Sequence, residues 1–379
     1  MPQATRNRVL SGDELKRFGD ELDGLRARTV ASLGQRDADY IRAIVGAVRW
    51  SGFLGRVLLF TGAVFGSLWV PWLLWPACIA GTLLLTLSKI LENMELGHNV
   101  MHGQFDWMGD PHLDGKRYEW DIVATGDNWR RTHNYRHHTY TNVRGMDDDI
   151  GYGLLRIFPE QRWKPFFLLQ PAVAVVFALL FQWGVAIQDL RIGRWLYGKD
   201  TFAQLCKAFR PVGRKMARQL AKDYLFFPLL AGPFFLPVLL GNMAANGLRN
   251  LWTFTIIFCG HFTADAETFA KESVRDESRG HWYLRQLRGS SNLAGGRLLN
   301  LLSGNLSHQI EHHFYPDIPA NRYAELAQEV RDICALYGQH YNTGSLPRQF
   351  GQVVWRILRH AWPSRPMVAP PLVQVPAME

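Results

Sequence analysis

The sequence predicts an all-α integral membrane protein with about four transmembrane helices in two hairpins and a helical cytoplasmic cap. Three observations predict this class. Residues 57–88 contain no charged side chain, strongly basic segments separate the later apolar stretches, and eight of the 13 histidines lie in three short clusters outside the apolar stretches. A mean hydropathy of −0.11 is consistent with a minority of apolar spans that carry large polar parts.

The first hairpin is predicted from residues 57–88 (VLLFTGAVFGSLWVPWLLWPACIAGTLLLTLS). This run is too long for a single crossing of about 20 residues. Pro71 and Pro76 lie near its middle, where they favour a turn between two helices. We therefore expect spans at about 52–70 and 73–94.

Residues 1–50 are expected to form a cytoplasmic amphipathic segment, because charged and apolar residues alternate there at helical spacing. Ser11 followed by Glu14 predicts a capping box at the start of a helix. The first ten residues, MPQATRNRVL, lack the apolar core of a signal peptide. The N-terminus is therefore expected in the cytoplasm.

The second half contains three apolar stretches, at about 165–187, 223–241 and 246–263. The segment between the first two is rich in cations, which predicts a cytoplasmic location. These cations are Arg191, Arg194, Lys199, Lys207, Arg210, Arg214, Lys215, Arg218 and Lys222. If all three stretches crossed, the histidine clusters would lie on opposite sides of the bilayer, so we interpret 165–187 as interfacial or re-entrant.

Four spans then remain within a domain at 51–345, and residues 346–379 are expected to form a C-terminal helix and a proline-rich tail. This topology places the histidine clusters and both termini on the cytoplasmic side of the cell inner membrane. The net charge of +9 could indicate nucleic-acid binding. Because the basic residues cluster beside apolar spans, we expect anionic lipid head groups as the partner and no nucleic acid.

The three histidine clusters are HNVMH, HNYRHH and HQIEHH, and random placement would put only about 0.6 histidines in them. Their histidines are His98 and His102, then His133, His137 and His138, then His308, His312 and His313. Residues four apart share one face of an α-helix, so each cluster can direct two imidazoles into one space. The adjacent His138 and His313 point about 100° away and can reach a second ion.

Eight histidines exceed the four or so ligands that one zinc ion takes, which favours two metal ions. Iron, copper and zinc all suit imidazole ligands. His261, at the end of the last expected span, is either a ninth ligand or an interfacial residue. Each ligating ring needs an acceptor for its other nitrogen. The candidate acceptors are Glu95, Asp147, Asp148, Asp149 and Glu311.

A competing interpretation is a zinc peptidase, because residues 308–312 match the H-x-x-E-H pattern. That interpretation leaves six of the clustered histidines without a role. It also predicts a soluble helical domain rather than a site beside apolar spans, so we disfavour it.

The three clusters resemble the histidine boxes of the membrane fatty acid desaturase and hydroxylase superfamily, and the resemblance covers about residues 50–345. HNVMHGQFDWM, HNYRHHTYTNVRGMDDDIGYG and NLSHQIEHHFYPDIPANRY are most similar to the bacterial linoleoyl-CoA-desaturase-like branch, which includes acyl-CoA desaturases that act at C9. Many relatives have H-x-x-H-H in the third box, where this chain has Gln309 preceded by His308. Both residues remain candidates to complete the box, and Gln309 is also a candidate to support a ligand.

The resemblance implies a centre of two iron ions that uses O2 to insert a double bond, with no catalytic residues beyond the metal ligands. The implied substrate is a long-chain saturated acyl chain carried by CoA or by a lipid, with CoA and position C9 expected. No fused haem motif or dinucleotide fingerprint is found, so an external ferredoxin- or flavin-type NAD(P)H reductase is implied. Arg130, Arg131 and Arg136 are candidate contacts for CoA phosphates.

Two alternative functions remain at this level. A fatty acyl or alkyl hydroxylase would use the same scaffold and differ only in its product. A metal transporter would place its ionisable ligands near the bilayer midplane, whereas these clusters follow the ends of apolar stretches.

Overall fold

The computed structural model describes residues 7–364, with gaps at 189, 191, 193, 194, 196 and 197. The described residues are mainly helical, with one two-stranded sheet. They form two compact units. Unit 1 contains residues 7–37, 131–174 and 255–364, and unit 2 contains residues 38–130 and 175–254.

The longer helices are α1 (Gly12–Ala31), α2 (Gln35–Thr61), α3 (Leu74–Ile90), α4 (Gln170–Leu179), α5 (Phe181–Gln188), α6 (Phe202–Leu220), α7 (Phe235–His261), α8 (Arg279–Gly289), α9 (Gln309–Phe314), α10 (Tyr323–Leu336) and α11 (Leu346–His360). The strands are β1 (Asn292–Ala294) and β2 (Thr343–Ser345). Shorter α-helical turns cover His98–Met101, Gly126–Trp129, His138–Tyr140, Phe227–Leu229 and Arg297–Leu302, and π-helical segments cover Gly62–Gly66, Leu91–Gly97, Arg130–His137 and Ala221–Phe226.

Unit 1 is organised around an apolar core between α1, α8, α9 and α10, which includes Phe18, Tyr283 and Phe314. The predicted capping box at the start of α1 is confirmed, since Ser11 and Glu14 exchange both of its hydrogen bonds. Helices α1 and α8 cross closely at Gly280, where a Cβ atom would lie 2.1 Å from the Leu15 carbonyl oxygen. The third histidine box lies on α9, which packs into this core through Ile310 and Phe314.

The end of unit 1 contains the expected C-terminal helix, α11. Strands β1 and β2 pair in parallel just before it, with Asn292 opposite Thr343. The guanidinium of Arg156, 1% exposed, donates hydrogen bonds to the carbonyl oxygens of His360 and Trp362 and so fastens the end of α11. The expected proline-rich tail from residue 365 onward lies outside the described residues.

Unit 2 contains the first predicted hairpin. Helix α2 continues through a π-helical turn to Gly66, and α3 begins at Leu74 after a 3-10 turn at Pro71, so the predicted turn near this proline is confirmed. The two helices pack closely because Gly55 and Gly81 lack side chains: a Cβ at Gly81 would lie 2.6 Å from the Leu59 amide nitrogen. Small residues at such crossings are typical of helix packing in membranes.

The later apolar stretches differ from their expected bounds. The expected span 223–241 is interrupted after Leu229, and the expected break between 241 and 246 lies inside α7, which is continuous for 27 residues. The interruption falls at a short 3-10 turn, Gly232–Phe234, where Gly232 has a φ of +54° that favours glycine and a proline follows it. Hydropathy alone does not locate such a break, because both sides of it are apolar.

The two segments Gln35–Gly66 and Pro71–Met101 are long and apolar enough to cross a membrane. A third candidate is the helix pair Pro165–Leu179 and Phe181–Gln188, which is bent by 101°. If this pair is one broken span, the described residues contain three candidate spans. A re-entrant loop would have the same bend, so the interfacial or re-entrant location of 165–187 and the count of four spans stay predictions.

Candidate metal centre

Three histidines from separate segments of unit 1 direct ring nitrogens into one space. These are His137, His261 and His313, all buried, with one ring nitrogen of each within 4.8 Å of the others. The Nε2 of His261 lies 3.3 Å from Nε2 of His137 and 3.1 Å from Nε2 of His313. Two nitrogens bound to one metal at about 2.1 Å lie about 3 Å apart when they meet at a right angle. We call these three residues the histidine trio, and its geometry suits one metal ion.

The second ring nitrogen of each trio histidine is held by a different acceptor. The Nδ1 of His137 lies 3.0 Å from the Asp147 carboxylate, and the Nδ1 of His261 lies 3.2 Å from the carbonyl oxygen of Gly289. The Nδ1 of His313 lies 2.9 Å from the amide oxygen of Gln286. Such acceptors leave Nε2 available to a metal and fix the ring orientation.

Two of these acceptors are themselves fixed. The amide nitrogen of Gln286 donates to the His138 carbonyl oxygen, which orients its oxygen toward His313. Asp147 also accepts a hydrogen bond from the Asn142 amide. Burial lowers the pKa of His137, but the neighbouring Asp147 carboxylate raises this pKa above its ordinary value overall. The carboxylate therefore makes the His137 imidazole a more basic ligand.

The second box lies on a π-helical segment, Arg130–His137. The expected proximity of His133 and His137 is observed, with their rings stacked at 5.1 Å and Asp149 beside them. A π-helix has more residues per turn than an α-helix, so residues five apart come to the same side. Accordingly, Nε2 of His138 lies 3.3 Å from Nε2 of His133. His312 offers a nitrogen within 4.8 Å of one on His133. His133 therefore lies close to both His137 and His138, while Nε2 of His137 also belongs to the trio.

The third box differs from its expected geometry because α9 begins at Gln309. His308 precedes the helix, so it does not share a helical face with His312. No metal-ligand group among the described residues contains His308, and its buried Nε2 has no hydrogen-bond partner. The Gln309 side-chain nitrogen instead lies 2.9 Å from Nε2 of His261. The Gln309 side chain also packs against Gly260, and a Cβ atom added to Gly260 would lie within 3.0 Å of it.

The first box lies in unit 2, at the end of the helical segment that begins with α3. The rings of His98 and His102 are 4.7 Å apart, with nitrogens within 4.8 Å, and both contact Trp129 edge to face at 5.3 Å. The Nδ1 of His98 lies 3.1 Å from the side-chain oxygen of Asn99. We call His98 and His102 the histidine pair. Glu95, a predicted acceptor, accepts a hydrogen bond from the Tyr40 hydroxyl at 2.7 Å.

The remaining predicted residues have other contacts. Asp148 forms an ion pair with Arg136, and Glu311 accepts hydrogen bonds from Asn292 and Tyr341. Burial raises the pKa of Glu311 to about 7. The ring of His133 lies 3.5 Å from the Asp149 carboxylate.

The three arginines predicted to contact CoA phosphates differ in their hydrogen-bond partners and exposure. Arg130 donates to the carbonyl oxygens of Gly115 and Tyr118, and Arg136 donates to the carbonyl oxygen of Met146, whereas Arg131 is exposed.

Several acceptors were not expected from the sequence. Gln286 holds His313, the Gly289 carbonyl holds His261 and Asn99 holds His98. The Tyr323 hydroxyl lies 3.3 Å from Nδ1 of His312. Only Asn99 is adjacent in sequence to its histidine. The others are far along the chain or belong to the main chain, so no local pattern could have found them.

The donor set fits a transition metal bound by imidazoles. Neutral imidazoles with one nitrogen facing a common space and the other held by an acceptor are the ligand arrangement of histidine-bound iron, copper or zinc. Cysteine thiolates do not contribute to any of the three groups found among the described residues. The residues present therefore fit a histidine-bound metal.

The comparisons with known proteins agree with this site. Residues 71–345 match the fatty acid desaturase family, so the chain belongs to that family. It is 42% identical over 353 residues to an NADPH-dependent stearoyl-CoA 9-desaturase of Mycobacterium tuberculosis, covering 92% of this chain and 80% of the relative. It is 26% identical over 323 residues to an sn-1 linoleoyl-lipid 6-desaturase of Synechocystis, covering 82% of this chain and 85% of the relative.

The family resemblance expected from the histidine boxes is thereby confirmed. The protein is a fatty acid desaturase, an oxidoreductase with histidine groups that could hold metal and helices apolar enough to span a membrane. The peptidase interpretation of residues 308–312 and the interpretation as a metal transporter are set aside.

Proposed function

We propose that this protein is a membrane desaturase that inserts a double bond at C9 of a long-chain saturated acyl-CoA such as stearoyl-CoA. The observation that carries this proposal is the histidine trio with its three separate acceptors, in a chain 42% identical to a stearoyl-CoA 9-desaturase. The reaction needs O2 and two electrons. We propose an external ferredoxin- or flavin-type NAD(P)H reductase as their source, as the NADPH dependence named for that relative supports.

The metal we propose is iron, two ions per chain. The trio would hold one ion, with Gln309 beside it, and His133, His138 and His312 of unit 1 would be ligands of the other, while His98 and His102 remain candidate ligands. Gln309 rather than His308 would complete the third box, because its side chain contacts His261. Iron bound in this way would supply O2 activation.

The chain's own residues would orient the ligands and keep water away from them. Asp147, Gln286 and the Gly289 carbonyl each hold one Nδ1 and therefore keep the three Nε2 atoms directed at one point. The trio is buried, and its rings lie among other rings rather than solvent. Exclusion of water from such a site suppresses side reactions of the bound oxidant.

Four crossings, with the boxes and both termini on the cytoplasmic side of the cell inner membrane, remain our proposal for the topology. Helix α7 would be one crossing, because its 27 residues extend about 40 Å at 1.5 Å per residue. Residues 165–187 would be re-entrant, as their 101° bend allows. This arrangement keeps the three boxes on one side of the bilayer.

For the CoA phosphates we propose contacts from Arg130, Arg131 and Arg136. Arg131 is exposed, and Arg130 and Arg136 also donate to carbonyl oxygens of the chain. Guanidinium groups bind phosphate oxygens in pairs of hydrogen bonds, which suits this role.

The test is product analysis with the purified protein, a defined NADPH reductase and stearoyl-CoA or a phosphatidylcholine with stearoyl chains. We expect a monounsaturated C18 acid with its double bond at C9 from the CoA ester and little from the lipid. Iron measured on the same sample should approach two ions per chain. A hydroxylated acid would establish the hydroxylase alternative, and product from the lipid alone would exclude acyl-CoA as the substrate.

A further inference from the structure

Unit 2 contains a group of charged side chains beside the apolar helices α2 and α3. The cations are Arg56, Lys89, Lys222 and Arg249, and the carboxylates are Glu92, Asp121 and Asp223. Asp223 pairs with Lys89 at 2.8 Å and with Arg56 at 3.5 Å, while Lys222 pairs with Asp121. We call these residues the charged cluster.

The charged cluster has more cations than its carboxylates neutralise. Arg249 is 1% exposed, its Nε has no hydrogen-bond partner, and in the described part of the chain no carboxylate lies within 4 Å of its guanidinium. Arg49, about two helix turns before Arg56, is exposed and likewise has no carboxylate within 4 Å there. Positive charge beside a membrane-spanning segment is costly without a counter-charge. An anion is therefore expected at this place.

Two adjoining cavities lie at the charged cluster. One has a volume of about 440 Å³ and is lined by three cations, Arg49, Arg56 and Lys89, and by two carboxylates, Glu92 and Asp121. The other has a volume of about 320 Å³ and is lined mainly by apolar side chains, including Val57, Phe60, Phe227 and Leu230. Phe53 and Arg56 line both cavities, so the cationic space continues into the apolar one. Their combined form matches an amphiphile with its anionic group directly beside its hydrocarbon chain.

We propose that these two cavities bind an anionic phospholipid, with its phosphate at Arg49, Arg56 and Lys89 and one acyl chain in the apolar cavity. The phosphate would neutralise the excess positive charge through charge-assisted hydrogen bonds from the guanidinium groups. In a phospholipid the phosphate is joined to the chains through a single glycerol.

An acyl-CoA fits this site less well. In acyl-CoA the whole pantetheine arm separates the phosphates from the acyl chain, whereas here one arginine, Arg56, lines both the cationic and the apolar space. The lipid site is independent of the function proposed above, since it involves none of the histidines.

Native mass spectrometry of the full-length protein in detergent tests this proposal with palmitoyl-oleoyl phosphatidylglycerol, the matching phosphatidylcholine and stearoyl-CoA as probes. We expect one phosphatidylglycerol to bind about tenfold more tightly than phosphatidylcholine. Arg49→Gln and Arg56→Gln should each weaken its binding by about tenfold. Arg348→Gln, which removes an exposed arginine of α11, is the matched control and should leave binding unchanged.

Equal binding of the two lipids, or variants that bind like the control, would overturn the site. Displacement of phosphatidylglycerol by stearoyl-CoA in the native protein but not in the Arg49→Gln variant would show that the occupant is the acyl-CoA instead. Arg56 also contacts Phe227, with its guanidinium 3.4 Å from the ring centroid, so its variant could unfold. Size-exclusion chromatography detects unfolding of that variant. Arg49→Gln then decides the test by itself, because exposed Arg49 has no ion pair with any described residue.

Discussion

The histidine trio of unit 1 and the histidine pair of unit 2 are built in different ways. The trio joins three segments distant in sequence, and each of its rings has an acceptor from a different part of the fold. The pair comes from one helical turn, and its rings contact each other and Trp129. The trio therefore depends on the tertiary fold for its geometry, while the pair depends mainly on the local helix.

This difference implies a difference in metal affinity. Three rings held in place before the metal binds lose little freedom on binding, and acceptors on Nδ1 raise the basicity of the ligands. The pair supplies only two nitrogens, and the proposed second ion needs more ligands from elsewhere. We expect the ion at the trio to be held more tightly, and four predictions test this expectation.

The largest effect is expected from loss of a trio ligand. His137→Ala should lower desaturation by at least about a thousandfold and should remove the more tightly held iron, since it deletes one of three nitrogens at that ion. Rates from gas chromatography and iron content on the same sample measure both effects. His281→Ala, a histidine outside the three boxes, is the control. Full activity in the His137 variant would exclude the trio as a metal site.

A smaller effect is expected from the acceptor of that ligand. Asp147→Asn removes the carboxylate beside His137 and should lower iron affinity or turnover by about 10- to 100-fold. Asp148→Asn is the matched control, because the neighbouring carboxylate pairs with Arg136 rather than with a trio ring. Titration of the metal-depleted variants with Fe²⁺ gives the affinities. Equal losses in both variants would mean that the local negative charge matters and the hydrogen bond does not.

A chelator should remove iron from the trio and from the second metal site at different rates. With a chelator such as EDTA, iron should leave in two phases whose rates differ by about tenfold, because pre-oriented ligands release metal more slowly. His102→Ala should abolish the faster phase, and Asp147→Asn should accelerate only the slower one. Stopped samples analysed for protein-bound iron provide the time course. A single phase in the native protein would contradict the predicted difference in affinity.

The smallest effect concerns the third box. Gln309→Ala should lower turnover by about tenfold, since its side chain lies 2.9 Å from the metal-facing nitrogen of His261, while His308→Ala should change turnover by less than about threefold. Steady-state rates with stearoyl-CoA measure both variants. The reverse order of effects would identify His308 as the ligand.

Much of this protein could be predicted from local patterns. The capping box at Ser11 and Glu14, the turn near Pro71 and the three histidine boxes are each contained in a few consecutive residues, and the family match agrees with the boxes. The bounds of the later spans were harder to predict from the sequence, because the break near Gly232 lies within a continuously apolar region. Hydropathy measures composition, and composition does not change across that break.

The sequence by itself determined the helical membrane class, the three boxes and the desaturase family, because these depend on residue type and short spacing. Only the tertiary structure decided which rings meet. The π-helical turn brings His133 to His138, the start of α9 separates His308 from His312, and Gln286 and Gly289 reach rings distant in sequence. The physical reason is that a spacing of four assumes a regular α-helix, whereas contacts between imidazole nitrogens depend on local helix form and on segments folded together from far along the chain.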